Sequence, residues 1–311
     1  MDDWLLIGAK GGVTPPRHLV EAALTAAPPA VIAAQSTVMP RKRDGSERCR
    51  ICGVNEPMTR EHVPPRAAGN DATSHTYGIM EWLARESLDD VPGGKQQQGG
   101  NWGYTLCGPC NNTTGRYAPE YALWADAAAH MMMTKLQPAE IYDAETVSRW
   151  FGIKFPDAAA GSFVRQVLSM MMTASSEWGL AKRYPNLRDA VLTGAATTFP
   201  DDLFLGVGLS FGPTAMTAGP SHRLDLANES WRWSSVVVHP PFAFEIVLAE
   251  SDNCEFPNLC GIGPLVEADE RQRCALELEL PLVFTHTGFP ADWRTRAQIE
   301  GGLDIYGHPD Q

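Results

Sequence analysis

Apolar and polar positions divide the chain into blocks of different period. Residues 1–40 are rich in Ala and Pro, and Pro15-Pro16 predicts a short helix running through Leu24, since proline suits a first helical turn. Residues 118–195 carry helical spacing. Pro119-Glu120 starts a helix through Tyr121, Leu123, Trp124, Ala127, Ala128 and Met131. Further helices are predicted over Val147–Phe155, Phe163–Met172 and Leu187–Leu192. Beyond residue 200 the pattern changes. Leu203–Phe211, Trp231–Val238, Phe242–Leu248 and Leu276–Phe284 read as strands separated by Gly, Pro, Asn and Asp. They predict a small antiparallel sheet or sandwich, with Pro240-Pro241 and Pro281 at strand starts or edges. The methionine runs at 131–133 and 170–172 read as core packing.

The stretch between these blocks is built differently. A strand holding Glu61-His62 ends at Pro64-Pro65, and a second strand, Trp102–Leu106, follows much later. The insert between them, 65–101, contains a predicted helix over Ile79–Leu88 and a Gly- and Gln-rich flexible loop over Val91–Gly100.

Charge complicates any partner that is itself acidic. The chain of 311 residues has a net charge of −12, so long-range attraction to a polyanion is weak and binding depends on a local patch. Residues 41–66 supply one: Arg41, Lys42, Arg43, Arg48, Arg50, Arg60 and Arg66 outnumber the acids there. The acidic start, Met1-Asp2-Asp3-Trp4, is unlike a signal peptide, and the apolar runs are too short to span a bilayer. A soluble, cytoplasmic protein is expected.

Four of the seven cysteines form two close pairs, Cys49-Arg50-Ile51-Cys52 and Cys107-Gly108-Pro109-Cys110. Each Cys-x-x-Cys aims two thiolates at one ion, and four thiolates make a closed structural zinc site. A redox dithiol and an iron–sulfur site are the rivals, and neither uses the residues between the pairs. The odd total excludes a complete disulfide framework, and Cys254, Cys260 and Cys274 read as small buried hydrophobes.

Between and beside the pairs lie Glu61, His62 and Asn111. Phosphodiester hydrolysis needs a neutral imidazole to activate water and hard oxygen ligands for a divalent ion. Adjacent strand residues face opposite ways, so Glu61 and His62 converge only where the strand ends, and Pro64-Pro65 supply that end. Asn111, at the start of a helix, is either a ligand opposite Glu61 or a helix cap, and Asn112 can exchange roles with it.

Taken together, Cys-x-x-Cys, Glu-His-Val-x-Pro and Leu-Cys-x-x-Cys-Asn-Asn resemble the HNH endonucleases, over roughly residues 46–124. The likeness is to their zinc-stapled branch, with Glu-His in place of the commoner Asp-His. The resemblance implies a ββα-metal core; with the helical segment and β-rich C-terminal region read from the pattern above, the expected fold class is α+β. It implies His62 as general base, Glu61 as first ligand of a catalytic Mg²⁺ or Mn²⁺, and Asn111 (or Asn112) completing that site. Cys49, Cys52, Cys107 and Cys110 would hold the zinc. DNA, or alternatively RNA, would be cut to leave 5′-phosphate ends, with defence against phage or mobile DNA as the family role. Many members carry a lysine three residues beyond the third motif position, where this chain has Thr113-Thr114. Arg116 is the replacement, with Arg60 and Arg66 as further phosphate contacts. The middle motif residue is Asn101 or, less well placed, His75.

The expected organisation is an N-terminal segment 1–40, a nuclease domain 41–135 with the insert 65–101, and an accessory domain 136–311. The accessory domain would bind a regulatory ligand or protein, and a homo-oligomer would pair two active sites for a double-strand cut. The competing reading is a non-catalytic zinc-knuckle module that binds nucleic acid or protein.

Overall fold

The computed structural model describes residues 39–40, 43, 45, 47–71, 74–76, 95–135, 150–175, 179–211, 216–225, 230–249 and 259–284. The helices expected over 15–24 and 79–88 lie outside these residues. The architecture is mixed α+β. Strand β1 (Met58–His62) leads, through a short 3₁₀ turn at Arg66–Ala68, to a small ribbon of β2 (Ser74–Thr76) with β3 (Lys95–Gln97). Part of the Gly- and Gln-rich loop is therefore a strand. Strand β4 (Trp102–Cys107) returns antiparallel to β1, and helix α1 (Gly108–Gly115) follows without a break. Helix α2 (Ala118–Lys135) comes next, as the Pro119-Glu120 start predicts.

The segment read as a helix over Val147–Phe155 is instead strand β5 (Trp150–Ala158). Its apolar residues fit either period, and pairing with a distant strand decides between them. Ile153 and Phe155 are buried while Gly152, Lys154 and Pro156 are exposed, which is the period of a half-buried edge strand. Helix α3 (Ala160–Ala174) is buried along nearly its whole length, its polar Arg165, Gln166, Ser169 and Thr173 included. The short α4 (Leu180–Arg183) and α5 (Pro185–Thr193) pack beside it.

The remaining strands are β6 (Leu203–Phe211), β7 (Met216–Asp225), β8 (Ser230–His239), β9 (Phe242–Ala249), β10 (Cys260–Gly261) and β11 (Cys274–Phe284). With β5 they form one seven-stranded sheet in the order β5-β11-β6-β9-β8-β7, with β10 added on β6. The β11–β6 pair is parallel, so the sheet is mixed rather than wholly antiparallel. Pro240-Pro241 turns β8 into β9. Pro281 sits inside β11, opposite Trp150 at the start of β5; the next residue, Leu282, pairs with β6 instead. A proline is tolerated where one ladder ends and another begins. Strand β7 has no counterpart in the sequence reading because Gly219-Pro220 interrupts it, where its register with β8 slips.

One hydrophobic core joins these parts. It runs from Cys49, Ile51 and Met58 through Leu106, Trp124 and α3 to Leu205, Phe244 and Leu280 of the sheet. Trp124 of α2 stacks between Phe155 of β5 (4.2 Å) and Phe163 of α3 (3.9 Å). Met170, Met171 and Met172 are buried, as core packing requires. Cys274, by contrast, is exposed and Cys260 half-buried, because both begin strands at the margin of the sheet. Among the described residues no helix is long and apolar enough to cross a membrane.

Candidate active site and metal centre

The first cysteine pair sits in a tight turn before β1. Gly53 N–H donates to the Cys49 carbonyl (2.8 Å), and Cys49 N–H to the Val54 carbonyl (3.0 Å). The second pair straddles a junction: Cys107 ends β4 and caps α1, with Pro109 in the first helical turn. Met58 pairs with Cys107, which brings the junction beside the turn. The sulfurs of Cys49, Cys52, Cys107 and Cys110 then lie within 4.8 Å of one another, and those of Cys52 and Cys107 are 3.7 Å apart. Tetrahedral zinc with bonds of about 2.3 Å needs sulfur–sulfur edges of about 3.8 Å, so the donor set fits such an ion. A hydrogen bond from Cys110 pulls the Cys49 thiol down to about 4, while that bond and burial push Cys110 upward. Burial pushes Cys52 up to about 11. Crowded sulfurs resist sharing negative charge, and a bound cation removes that resistance.

Strand alternation puts Glu61 and His62 on opposite faces of β1, so the convergence expected ahead of Pro64-Pro65 does not occur: both residues still lie within the paired strand. Glu61 is 6% exposed and shares its face with Thr59 and Gly103. Burial alone pushes its carboxyl up to about 8. Helix α1 lies against this inner side. The Asn111 amide donates to Thr59 Oγ1 (2.9 Å) and to the Arg60 carbonyl (2.9 Å), which belongs to the peptide group leading into Glu61. Its nitrogen is thus anchored on the strand. Asn112 is exposed, one helical position round. Gly103 lets the Met39 backbone pack closely here, since a Cβ would stand 3.0 Å from it.

His62 ends β1 on the outer face, opposite Trp102. Its Nε2 lies 3.1 Å from the Gly99 carbonyl. A carbonyl only accepts, so in this contact Nε2 is the donor.

Two asparagines stitch the loop behind His62. Asn101 donates to the Val63 carbonyl (3.0 Å) and to Thr217 Oγ1 of β7 (2.7 Å). Asn70 donates to the Pro64 and Asn101 carbonyls, and its oxygen accepts from Asn101 N–H (2.7 Å). Gly100 permits this packing: at φ +77 a Cβ there would lie 2.3 Å from the Asn70 carbonyl. Asn101 is therefore next to the Glu-His segment, whereas His75 lies on β2, opposite Gln96. Sequence reasoning missed Asn70, which reads as part of a Gly69-Asn70-Asp71 turn, and Thr217, which only the tertiary fold brings near.

Of the arginines, Arg60 and Arg66 are exposed on the hairpin side. Arg116 is bound elsewhere. It pairs with Glu270 (2.9 Å) and donates to the Leu192 carbonyl and the Tyr117 hydroxyl, tying the end of α1 to α5 and the loop before β11. No family model, no curated protein and no solved structure matched the chain.

Proposed function

We propose that the protein is a metal-dependent nuclease that hydrolyses phosphodiester bonds of DNA. The observation that carries this reading is the Asn111 amide on the Arg60 carbonyl: it ties the head of the helix to the backbone just before the buried Glu61 and two residues before His62. His62 takes a proton from the attacking water. Glu61 and the Asn111 oxygen are hard donors suited to Mg²⁺ or Mn²⁺, which when bound neutralises charge on the scissile phosphate and leaving oxygen. Asn101 holds the Val63 carbonyl and so keeps the strand end in place behind His62. The four cysteines take zinc and lock the junction between β4 and α1 on which Asn111 rides.

Glu61 favours the second reading in one respect. With its carboxyl held up to about 8, it is mostly neutral at pH 7 unless a cation is present. A zinc-stapled binding module without catalysis would keep such a carboxyl permanently neutral. Plasmid cleavage with Mg²⁺ or Mn²⁺ separates the two. Native protein should cut and His62→Ala, at matched zinc content, should not; equal cleavage by both would exclude His62 as the base.

A further inference from the structure

The outer face of the β1–β4 hairpin holds a ladder of arginines and aromatic rings that the hydrolytic centre does not use. The Arg60 guanidinium lies 3.9 Å above the Trp102 ring, and that of Arg43 lies 4.8 Å from the Tyr104 ring. Trp102 and Tyr104 meet edge to face at 5.7 Å. Both arginines are exposed and both rings half-exposed. Cross-strand register fixes the ladder's place: Trp102 is paired with His62 and Tyr104 with Arg60. The Met39 backbone approaches the hairpin at Gly103, on the face opposite the ladder.

We propose that this ladder is a stacking platform for unpaired nucleotides, so that the substrate is single-stranded beside the phosphate presented to His62. The inference rests on the nuclease reading and names its substrate class. Flat π faces and guanidinium planes stack bases of any sequence, and only unpaired bases can reach them. Arginine adds phosphate contact in a chain whose net charge of −12 otherwise repels a polyanion. A duplex keeps its bases inside and offers this face only its backbone.

The test uses the full-length, zinc-loaded protein with no Mg²⁺ or Mn²⁺ added, so that strands bind without being cut. Fluorescence anisotropy is read for a single-stranded DNA, the same sequence as RNA, and the DNA duplex. Tighter binding of either single strand than of duplex is expected, and the two strands show which sugar is preferred. Trp102→Leu should weaken single-strand binding about tenfold, and Trp102→Phe, which keeps a ring, far less. Arg60→Ala alters an exposed side chain and serves should Trp102→Leu fail to fold. It should weaken binding and lower the salt slope by about one. Equal affinity for duplex and single strands, or unchanged single-strand binding in folded Trp102→Leu and Arg60→Ala, overturns the platform. Cleavage read separately with Mg²⁺ tells the failures apart. Loss of the platform with cleavage intact spares the nuclease, and single-strand binding without cleavage spares the platform.

Discussion

Thr217 of strand β7 shares a 2.7 Å hydrogen bond with the Asn101 amide, and that amide also holds the carbonyl of Val63, the residue after His62. The edge of the seven-stranded sheet thus supports the loop behind the proposed general base. Removing the hydroxyl with Thr217→Val should cost about 1 kcal/mol, or roughly fivefold in cleavage rate. The loss should fall on kcat rather than KM, since nothing at Thr217 touches substrate. Thr217→Ser should restore the rate, and an unchanged kcat in Thr217→Val would detach the sheet from catalysis.

The cysteine cluster is part of the main core, so its metal should act on the whole molecule. Elemental analysis should give one zinc per chain, lost in Cys110→Ala and retained in Cys274→Ser, where the thiol is exposed. Chelation should lower the midpoint of thermal unfolding for α-helix and sheet signals together. A local change that left the sheet transition untouched would contradict a shared core.

Glu61 predicts a pH dependence with a definite sign. Its folded carboxyl sits at about 8 against the usual 4.5, so the folded state binds its proton more tightly than the unfolded chain does. The stability this contributes is full below pH 4.5 and is lost as pH rises through 8, by about 1.4 kcal/mol per unit in between. Glu61→Gln should escape the loss, which urea titrations at pH 5 and 8 can measure. Mn²⁺ should flatten the wild-type dependence. A slope indifferent to Mn²⁺ would remove Glu61 from the ligand set.

Arg165 is fully buried on α3 and donates to the carbonyls of Gly161, Ala190, Ala195, Val266 and Ala268. Burial lowers its pKa, yet five acceptors hold it in place of a carboxylate. Arg165→Met should leave these carbonyls stranded and destabilise the protein by about 3–5 kcal/mol, read as a lower urea midpoint. Arg165→Lys should recover only part, having no planar fork.

Local chemistry was legible in the sequence where it was dense. The spacing of Cys49, Cys52, Cys107 and Cys110 is enough to foresee one cluster, and the Pro119-Glu120 start foretells α2. Asn111 at the head of a helix was readable, but which of its atoms faces the strand was not. Trp150–Ala158 misled because five apolar residues at mixed spacing fit a helix until β11 supplies a ladder. Strand β7 was hidden by its own Gly219-Pro220, and with it Thr217. Arg165 gave no signal in the sequence, since several of its acceptors lie on segments far along the chain.

The parallel pairing of β6 with β11 also sets an order of manufacture. The ribosome delivers the cysteine pairs, Glu61, His62 and Asn111 early, but Thr217 much later and residues 274–284 later still. Until those last residues emerge, β5 lacks the one strand it pairs with among the described residues, and β6 lacks one of its own. A nascent or prematurely terminated chain therefore carries the hairpin without the sheet edge that steadies Asn101, and with the apolar faces of α3 uncovered. Such fragments should be captured by chaperones or degraded, so the hairpin gains its full support only once synthesis of the sheet is over.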